Sequence, residues 1–380
     1  MEAREVPAAF TGNAIALPLY NGVTDTAVDL IDPLGGEVLY RTFPGFRGAI
    51  VAAAADVTGD GVADAIVGVQ NSGGLVAVFD GVSGGLLVAG NVFPGFAGRV
   101  NVGAADVNGD GYAEVLVVAD EPGAPVLVAD LRNSLAGSFL AFPGLSGRFA
   151  VTGADLDGDG RDEILVGAGG TGLGGLVASF NADGSPFYPA VSVFPGFNGS
   201  ISLAAGDVDG DGFDDVVIGT GPGMPGGEVV VISGTGELLA DFAPFPSGVT
   251  RGVNVYVADG DGDGVGDIFV ALQGGGYPAL TGFTLVTPGF LPGYGYSGYG
   301  YPGFGYSGFG FSSYGYTYPY DGYFYDPGYY DPGYYYDPGY YYDPGYYYDP
   351  GYYDSGYGYY DGGYYDGGYY DGGYYDDGGY

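Results

Sequence analysis

One short pattern recurs five times in register and leaves few folds open to this chain. Asp207-Val208-Asp209-Gly210-Asp211 closes on Asp215, with Phe213 in between. Asp56-Val57-Thr58-Gly59-Asp60 closes on Asp64, and Asp106-Val107-Asn108-Gly109-Asp110 closes on Glu114. Asp155-Leu156-Asp157-Gly158-Asp159 closes on Glu163, and Asp259-Gly260-Asp261-Gly262-Asp263 closes on Asp267. Oxygen-bearing side chains thus stand at positions 1, 3, 5 and 9 of every copy. Ca²⁺ takes about six to eight oxygen ligands and tolerates irregular geometry, so alternating acids on a tight turn suit it. The interleaved glycines permit the left-handed backbone that folds the acids onto one point. Position 7 (Val62, Tyr112, Arg161, Phe213, Val265) varies in type, as expected if only its main-chain carbonyl is used. The expectation is about five structural Ca²⁺ ions, the first held least tightly because Thr58 carries no charge.

An EF-hand loop would end in a bidentate Glu at position 12. Here position 12 is Val67, Val117, Val166, Ile218 and Val270, which rejects that reading. The segments after the loops, such as Val115-Leu116-Val117 and Val216-Val217-Ile218, are short, β-branched and bounded by Gly, hence strands. The segments before them alternate, as in Val100/Val102 and Ile201/Leu203. Each acidic loop is therefore expected to join two antiparallel strands.

The loops sit inside a longer repeat. Units begin at Phe43-Pro44-Gly45-Phe46, Phe93-Pro94-Gly95-Phe96, Phe142-Pro143-Gly144-Leu145, Phe194-Pro195-Gly196-Phe197 and Phe245-Pro246-Ser247, spaced by 50, 49, 52 and 51 residues. A period near 50 with about four short strands per unit is the signature of an all-β propeller of four-stranded antiparallel blades. Pro-Gly turns the chain at each corner, and the flanking Phe is expected to pack between adjacent sheets. Ala27–Asp32 and Gly36–Leu39 read as the second half of a further unit without its loop. Five units and a half give six blades, with five as the alternative.

These residues resemble the FG-GAP repeat, the calcium-bearing blade of integrin α-subunit propellers and of many bacterial surface proteins. The loops follow that family's Asp-x-Asp-x-Asp-Gly-x-x-Asp pattern, and its Gly-Ala-Pro signature stands intact at Gly123-Ala124-Pro125. Elsewhere the signature is degenerate, as at Gly221-Pro222-Gly223-Met224-Pro225 and Gly274–Pro278. The resemblance covers residues 26–290, with residues 1–25 as an N-terminal extension. It implies that the loops share one rim and stiffen the blades, that partners bind elsewhere, and that strands from both termini complete one blade. The family commonly has seven blades. Glu2–Ala8 resembles a short motif near the N-termini of some large bacterial surface proteins, where a basic leader precedes it. Under that resemblance Met1 would be an internal or misassigned start, since the first residues have neither the basic nor the apolar region of a signal peptide.

Composition excludes several functions. The chain has 46 acidic and 8 basic residues, for a net charge of −38, a surface that repels nucleic acid. With no Cys, His or Trp, disulfides, Cys/His zinc sites and Ser-His-Asp or Cys-His catalysis cannot occur. No apolar run approaches the roughly 18 residues of a membrane span. Low-affinity calcium modules work where Ca²⁺ is near millimolar, so an extracellular or cell-surface location is expected.

Beyond residue 290 the composition changes. Of 40 Tyr, 34 lie at or after Tyr294, in Tyr-Tyr-Asp-Pro-Gly and then Asp-Gly-Gly-Tyr-Tyr repeats. With almost no aliphatic residues, residues 291–380 are expected to form a disordered tail. Regularly spaced Tyr rings stack, donate hydrogen bonds and hold cations or sugars, which suits cohesion and self-association. The leading expectation is a non-enzymatic binding protein for adhesion or matrix assembly, its partner a surface or matrix protein or a polysaccharide. A lectin using platforms such as Tyr112, Phe213 or Tyr256 is the alternative. A glycosidase using acids such as Asp162/Glu163 or Asp214/Asp215 comes third.

Overall fold

The computed structural model describes residues 14–19, 26–33, 36–43, 46, 48–70, 73–132, 135–273, 280–286 and 310–316. Among them every regular element is a strand, and six antiparallel sheets follow one another along the chain. The first holds β1 (Ile15–Leu19), β2 (Thr26–Asp32) and β3 (Gly36–Phe43). The second holds β4 (Ile50–Ala55), β5 (Asp64–Val69), β6 (Leu75–Phe79) and β7 (Leu86–Asn91). The third runs β8 (Val100–Ala105), β9 (Glu114–Ala119), β10 (Pro125–Asp130) and β11 (Leu135–Leu140). The fourth runs β12 (Arg148–Ala154), β13 (Glu163–Gly169), β14 (Leu176–Phe180) and β15 (Val191–Ser192). The fifth runs β16 (Ile201–Gly206), β17 (Asp215–Thr220), β18 (Val229–Ile232) and β19 (Leu238–Phe242). The last runs β20 (Val253–Ala258), β21 (Asp267–Leu272), β22 (Leu280–Val286) and β23 (Gly310–Tyr316).

The chain is an all-β propeller of six blades. The innermost strands β1, β4, β8, β12, β16 and β20 pack one against the next, and β20 returns to β1, which closes the circuit. Crowding at the axis explains why these strands are rich in Ala and Gly. A Cβ added at Gly103 would lie 2.4 Å from the Val151 carbonyl oxygen of the next blade. Second strands run wholly buried between neighbouring sheets, and the position-12 residues Val67, Val117, Val166, Ile218 and Val270 are all fully buried there. The hydrophobic cores therefore lie between blades. Leu116, Val118 and Val126 of the third blade, for example, pack on Phe149, Val151 and Ile164 of the fourth. Each such side chain contributes about 1.5–3 kcal/mol on leaving water, and none finds its cover within its own sheet.

The Phe-Pro-Gly corners at Phe93, Phe142 and Phe194 are type II turns that link one blade's outer strand to the next blade's inner strand. Phe96 N–H donates to the Phe93 carbonyl at 3.1 Å and Phe197 N–H to Phe194 at 3.0 Å, with Gly95 and Gly196 at φ +86 and +89. The rings meet edge to face, 6.2 Å apart in both pairs, inside inter-blade cores. Between second and third strands stand two successive left-handed residues: Gly73–Gly74, Gly123–Ala124, Gly174–Gly175 and Gly226–Gly227. Gly226–Gly227, rather than Gly221–Pro225, is thus the counterpart of the Gly-Ala signature in the fifth unit. Gly274–Pro278 lies outside the described residues.

Four expectations need correction. Ile15–Leu19 belongs to the propeller, not to an extension: it is the inner strand of the first blade, and Pro18 lines the axis. Ala27–Asp32 and Gly36–Phe43 are accordingly the second and third strands, not the outer half of a unit. The blade built by both termini is not seen among the described residues. The ring instead closes by packing, where Ile15, Leu17 and Ile31 meet Phe269, Ala271 and Leu280. Finally, residues 310–316, assigned by composition to the tail, pair with β22 in the register Leu280↔Tyr316 to Val286↔Gly310. The rest of the expected disordered tail lies outside the described residues.

Candidate metal centres

Each acidic loop joins a first strand to a second, as the alternation requires. The position-9 acid opens the second strand and faces a small residue that ends the first: Ala55↔Asp64, Ala105↔Glu114, Ala154↔Glu163, Gly206↔Asp215 and Ala258↔Asp267. All five acids are buried. Their loops are prefolded by their own main chain. Asp207 Oδ1 accepts from Gly210 N at 2.7 Å and Oδ2 from Gly212 N at 2.9 Å, with the same pair of bonds made by Asp56, Asp106, Asp155 and Asp259. The position-5 acid accepts the position-7 N–H in every loop, at 2.9 Å from Val62, Arg161, Phe213 and Val265 and 3.2 Å from Tyr112. The position-9 acid accepts the position-2 N–H, at 2.9 Å for Val208 to Asp215.

Three loops converge as acid groups: Asp155, Asp157 and Glu163; Asp207, Asp209 and Asp215; and Asp259, Asp261 and Asp263, each with ligand atoms within 4.8 Å of one another. In the fourth-blade and fifth-blade loops the trio is positions 1, 3 and 9. In the last loop Asp267 turns one oxygen to the Thr284 hydroxyl and Asp263 takes its place in the group. The first two loops are gathered differently. Asp64 spends its second oxygen on Gly81 N at 2.8 Å, and Thr58 Oγ1 lies 3.4 Å from Asp56 Oδ1. Asn108 Nδ2 donates to Glu114 Oε1 at 2.6 Å, while Asp110 pairs with Arg132 at 3.4 Å.

The residues fit a hard cation. Every candidate donor is oxygen, and Asp215 Oδ1 is a fully buried carboxylate oxygen without a hydrogen-bond donor. Burial first, and neighbouring acids second, push Glu114, Glu163 and Asp215 up to about 7. Such carboxylates hold protons near neutrality unless a cation replaces them. Their folded pKa lies above the ordinary 4.5 of Glu and 3.8 of Asp, so the folded protein binds more protons than the unfolded chain across that window. Metal-free protein should therefore lose stability as pH rises from below 4 through about 7. Calcium-loaded protein should not, and calcium uptake at pH 6.5 should release protons. Melting curves from pH 5 to 8 with and without calcium check both.

Two features of the loops could not be read from their spacing. Position-7 side chains are not free: Tyr112 covers Gly59, Arg161 covers Gly109, Phe213 covers Gly158 and Val265 covers Gly210, each reaching the loop of the preceding blade. A Cβ at Gly59 would sit 2.4 Å from the Tyr112 ring. Tyr112 is also capped by Arg132, whose guanidinium carbon lies 3.6 Å from the ring centroid. The position-8 residue, for its part, grips the preceding loop. Ala113, Asp162, Asp214 and Gly266 donate their N–H groups to the carbonyls of Asp56, Asp106, Asp155 and Asp207 at 2.7–3.0 Å. Asp162 Oδ2 and Asp214 Oδ2 return the bond, accepting from Asp106 N at 2.8 Å and Asp155 N at 3.0 Å. Asp162→Ala leaves the Asp106 N–H unpaired and should cost about 1–3 kcal/mol. Chemical denaturation checks this, with Asp162→Asn, which keeps an acceptor oxygen, as the milder control.

Residues 155–218, which span the two best-gathered loops, match the family model described as FG-GAP-like repeat. The unit is an FG-GAP-like repeat. No curated protein sequence matches the chain. Among solved structures, the six-bladed propeller is similar to a mutant of Aleuria aurantia lectin in complex with alpha-methyl-L-fucoside. The identity is 12%, over 80% of this chain and 91% of that one, with a TM-score of 0.49. A mutant of AofleA from Arthrobotrys oligospora is 11% identical, over 72% and 83% of the two chains, with a TM-score of 0.48. The WD40 domain from Toxoplasma gondii coronin is 10% identical, over 71% and 78%, with a TM-score of 0.43. Asp80 and Asp130 accept from Ser83 N and Arg132 N at the turn after the third strand, a structural use.

Proposed function

We propose that this FG-GAP-like propeller is an extracellular, calcium-stabilised binding protein for adhesion or matrix assembly, with its Tyr-rich segment supplying cohesion. The observation that carries the calcium reading is Asp215 Oδ1, a buried anionic oxygen with no donor, set among Asp207 and Asp209. A desolvated carboxylate oxygen of this kind is costly unless a cation meets it. Ca²⁺ would be held by the position-1, 3, 5 and 9 side chains and would supply structural rigidity, not a reaction. Sites in the fourth and fifth blades would bind most tightly, and those built on Thr58 and Asn108 least.

Calorimetric titration of the whole chain tests this. About five ions should bind, and Asp209→Ala with Asp215→Ala should remove one of them while leaving the others. Absence of calcium uptake would overturn the reading. For the cohesive segment, Tyr→Ser replacement across residues 294–380 should abolish self-association. Undiminished association would make that segment a spacer.

The packing disfavours a lectin built on the loop aromatics and a glycosidase built on the loop acids. Tyr112 and Phe213, two of the three aromatic platforms named for a lectin, are engaged against neighbouring loops. Asp162 and Asp214, the acids a glycosidase would need beside Glu163 and Asp215, hold main-chain N–H groups of the preceding blade.

A further inference from the structure

The axial mouth opposite the acidic loops is lined differently from the loops themselves. First strands end at the loops, so their starting residues line the other mouth of the axis. There a cavity of about 390 Å³ opens, within the range of small-ligand pockets. Among the described residues its charged lining is two arginines, Arg99 and Arg148, and one acid, Asp120. In a chain with 46 acids and 8 basic residues, a cavity with more positive than negative side chains runs against composition.

Both arginines occupy the residue that begins or immediately precedes an inner strand, and Ser200 occupies the corresponding place in the fifth blade. Arg99 is held in position: its Nε donates to Gln70 Oε1 at 2.9 Å, and the buried Gln70 is itself anchored through Nε2 to the Val100 carbonyl. That bond uses one of the five guanidinium donors and leaves the terminal nitrogens for a ligand. Arg148 is exposed at the mouth. Neither guanidinium is ion-paired with a described residue. Asp120 lies near enough to feel both, but its Oδ1 accepts from Phe149 N at 2.8 Å. Beside and beneath the arginines, Ser200, Ser202 and Asn254 also line the cavity, the Ser202 hydroxyl donating to the Val253 carbonyl at 2.9 Å.

We propose that the axial mouth is a binding site for a hydroxylated monocarboxylate, an acidic monosaccharide of the uronic acid class, free or as a residue of a polysaccharide. Two guanidiniums against one carboxylate leave a single positive charge, which matches one carboxylate better than a doubly charged phosphate. The polar wall beneath serves the sugar hydroxyls. None of its residues belongs to an acidic loop, so calcium is not itself a ligand of the site.

The test is titration of the calcium-loaded full chain with D-galacturonate, D-galactose and inorganic phosphate at physiological salt, where the distant acids are largely screened. Galacturonate should bind saturably at one site, and galactose and phosphate at least about tenfold more weakly, the loss expected for one charge-assisted hydrogen-bonded contact. Arg148→Gln, at an exposed position with no packing role, should weaken galacturonate about tenfold without moving the melting temperature. Arg99→Gln should do the same or more. A tetra-galacturonide separates the two sources: binding as tight as or tighter than the monosaccharide points to polymer, and exclusion to the free sugar. Equal binding of galactose and galacturonate, no saturable galacturonate binding, or full affinity in Arg148→Gln would each overturn the proposal.

Discussion

Adding EGTA to the folded protein should lower its melting temperature by tens of degrees or unfold it outright. A ligand that binds only the folded state stabilises it by about 2.7 kcal/mol per site at a concentration 100-fold above its dissociation constant. Even three such sites together rival the roughly 5–15 kcal/mol that holds an ordinary domain together. Removal has a second cost, because three loops would leave carboxylates within 4.8 Å of one another, to repel or to take up protons in the cation's place. Magnesium should not rescue the loss, since it demands a smaller, near-octahedral shell than these loops offer. Differential scanning calorimetry with EGTA, then with calcium or magnesium restored, reads the result. An unchanged melting temperature would refute a structural role for the cation.

The second large effect is expected at the seam where the ring closes. Phe269 is fully buried on β21 and meets Ile15, Leu17 and Ile31 of the first blade. Phe269→Ala should cost about 3–5 kcal/mol, from lost transfer energy and the cavity left behind. For a chain of this size that is roughly 10 °C or more. Location separates this seam from any other core position. Hydrogen exchange should rise first along β1 and β20, on either side of the break, while β9 and β13 stay protected. Uniform loss of protection would mean that the seam has no special part in closure.

Much of the architecture was legible because its determinants are local. Ligand type, spacing and the aliphatic residue at position 12 lie within a dozen residues of each other, so the loops and their flanking strands could be read directly. The first blade hid because its inner strand, Ile15–Leu19, carries no acidic loop to announce it, and a repeat is recognised by what recurs. β23 hid for the opposite reason. Its Gly, Ser and Tyr composition belongs to the Tyr-rich segment, but pairing with β22 is a main-chain affair that composition does not forbid. The cross-blade roles of Tyr112, Arg161, Phe213 and Asp162 depend on partners about 50 residues away, a distance at which spacing alone conveys nothing. Asp162 and Asp214 did leave a trace, as acids at a position where Ala63, Ala113 and Gly266 stand in the other units.

The position-8 grip also gives the ring a sense of direction. From the third blade to the sixth, each position-8 N–H donates back to the main chain of its predecessor's loop, and none of these N–H groups donates forward. Trimming the chain from its carboxyl side would take away a hand, leaving a carbonyl such as that of Asp207 to face solvent, where water can meet it. Trimming from the amino side would strand an outstretched N–H, and in the fourth and fifth blades a carboxylate as well. The bonds between successive loops are thus polar: the carbonyl belongs to the earlier blade and the position-8 N–H to the later one.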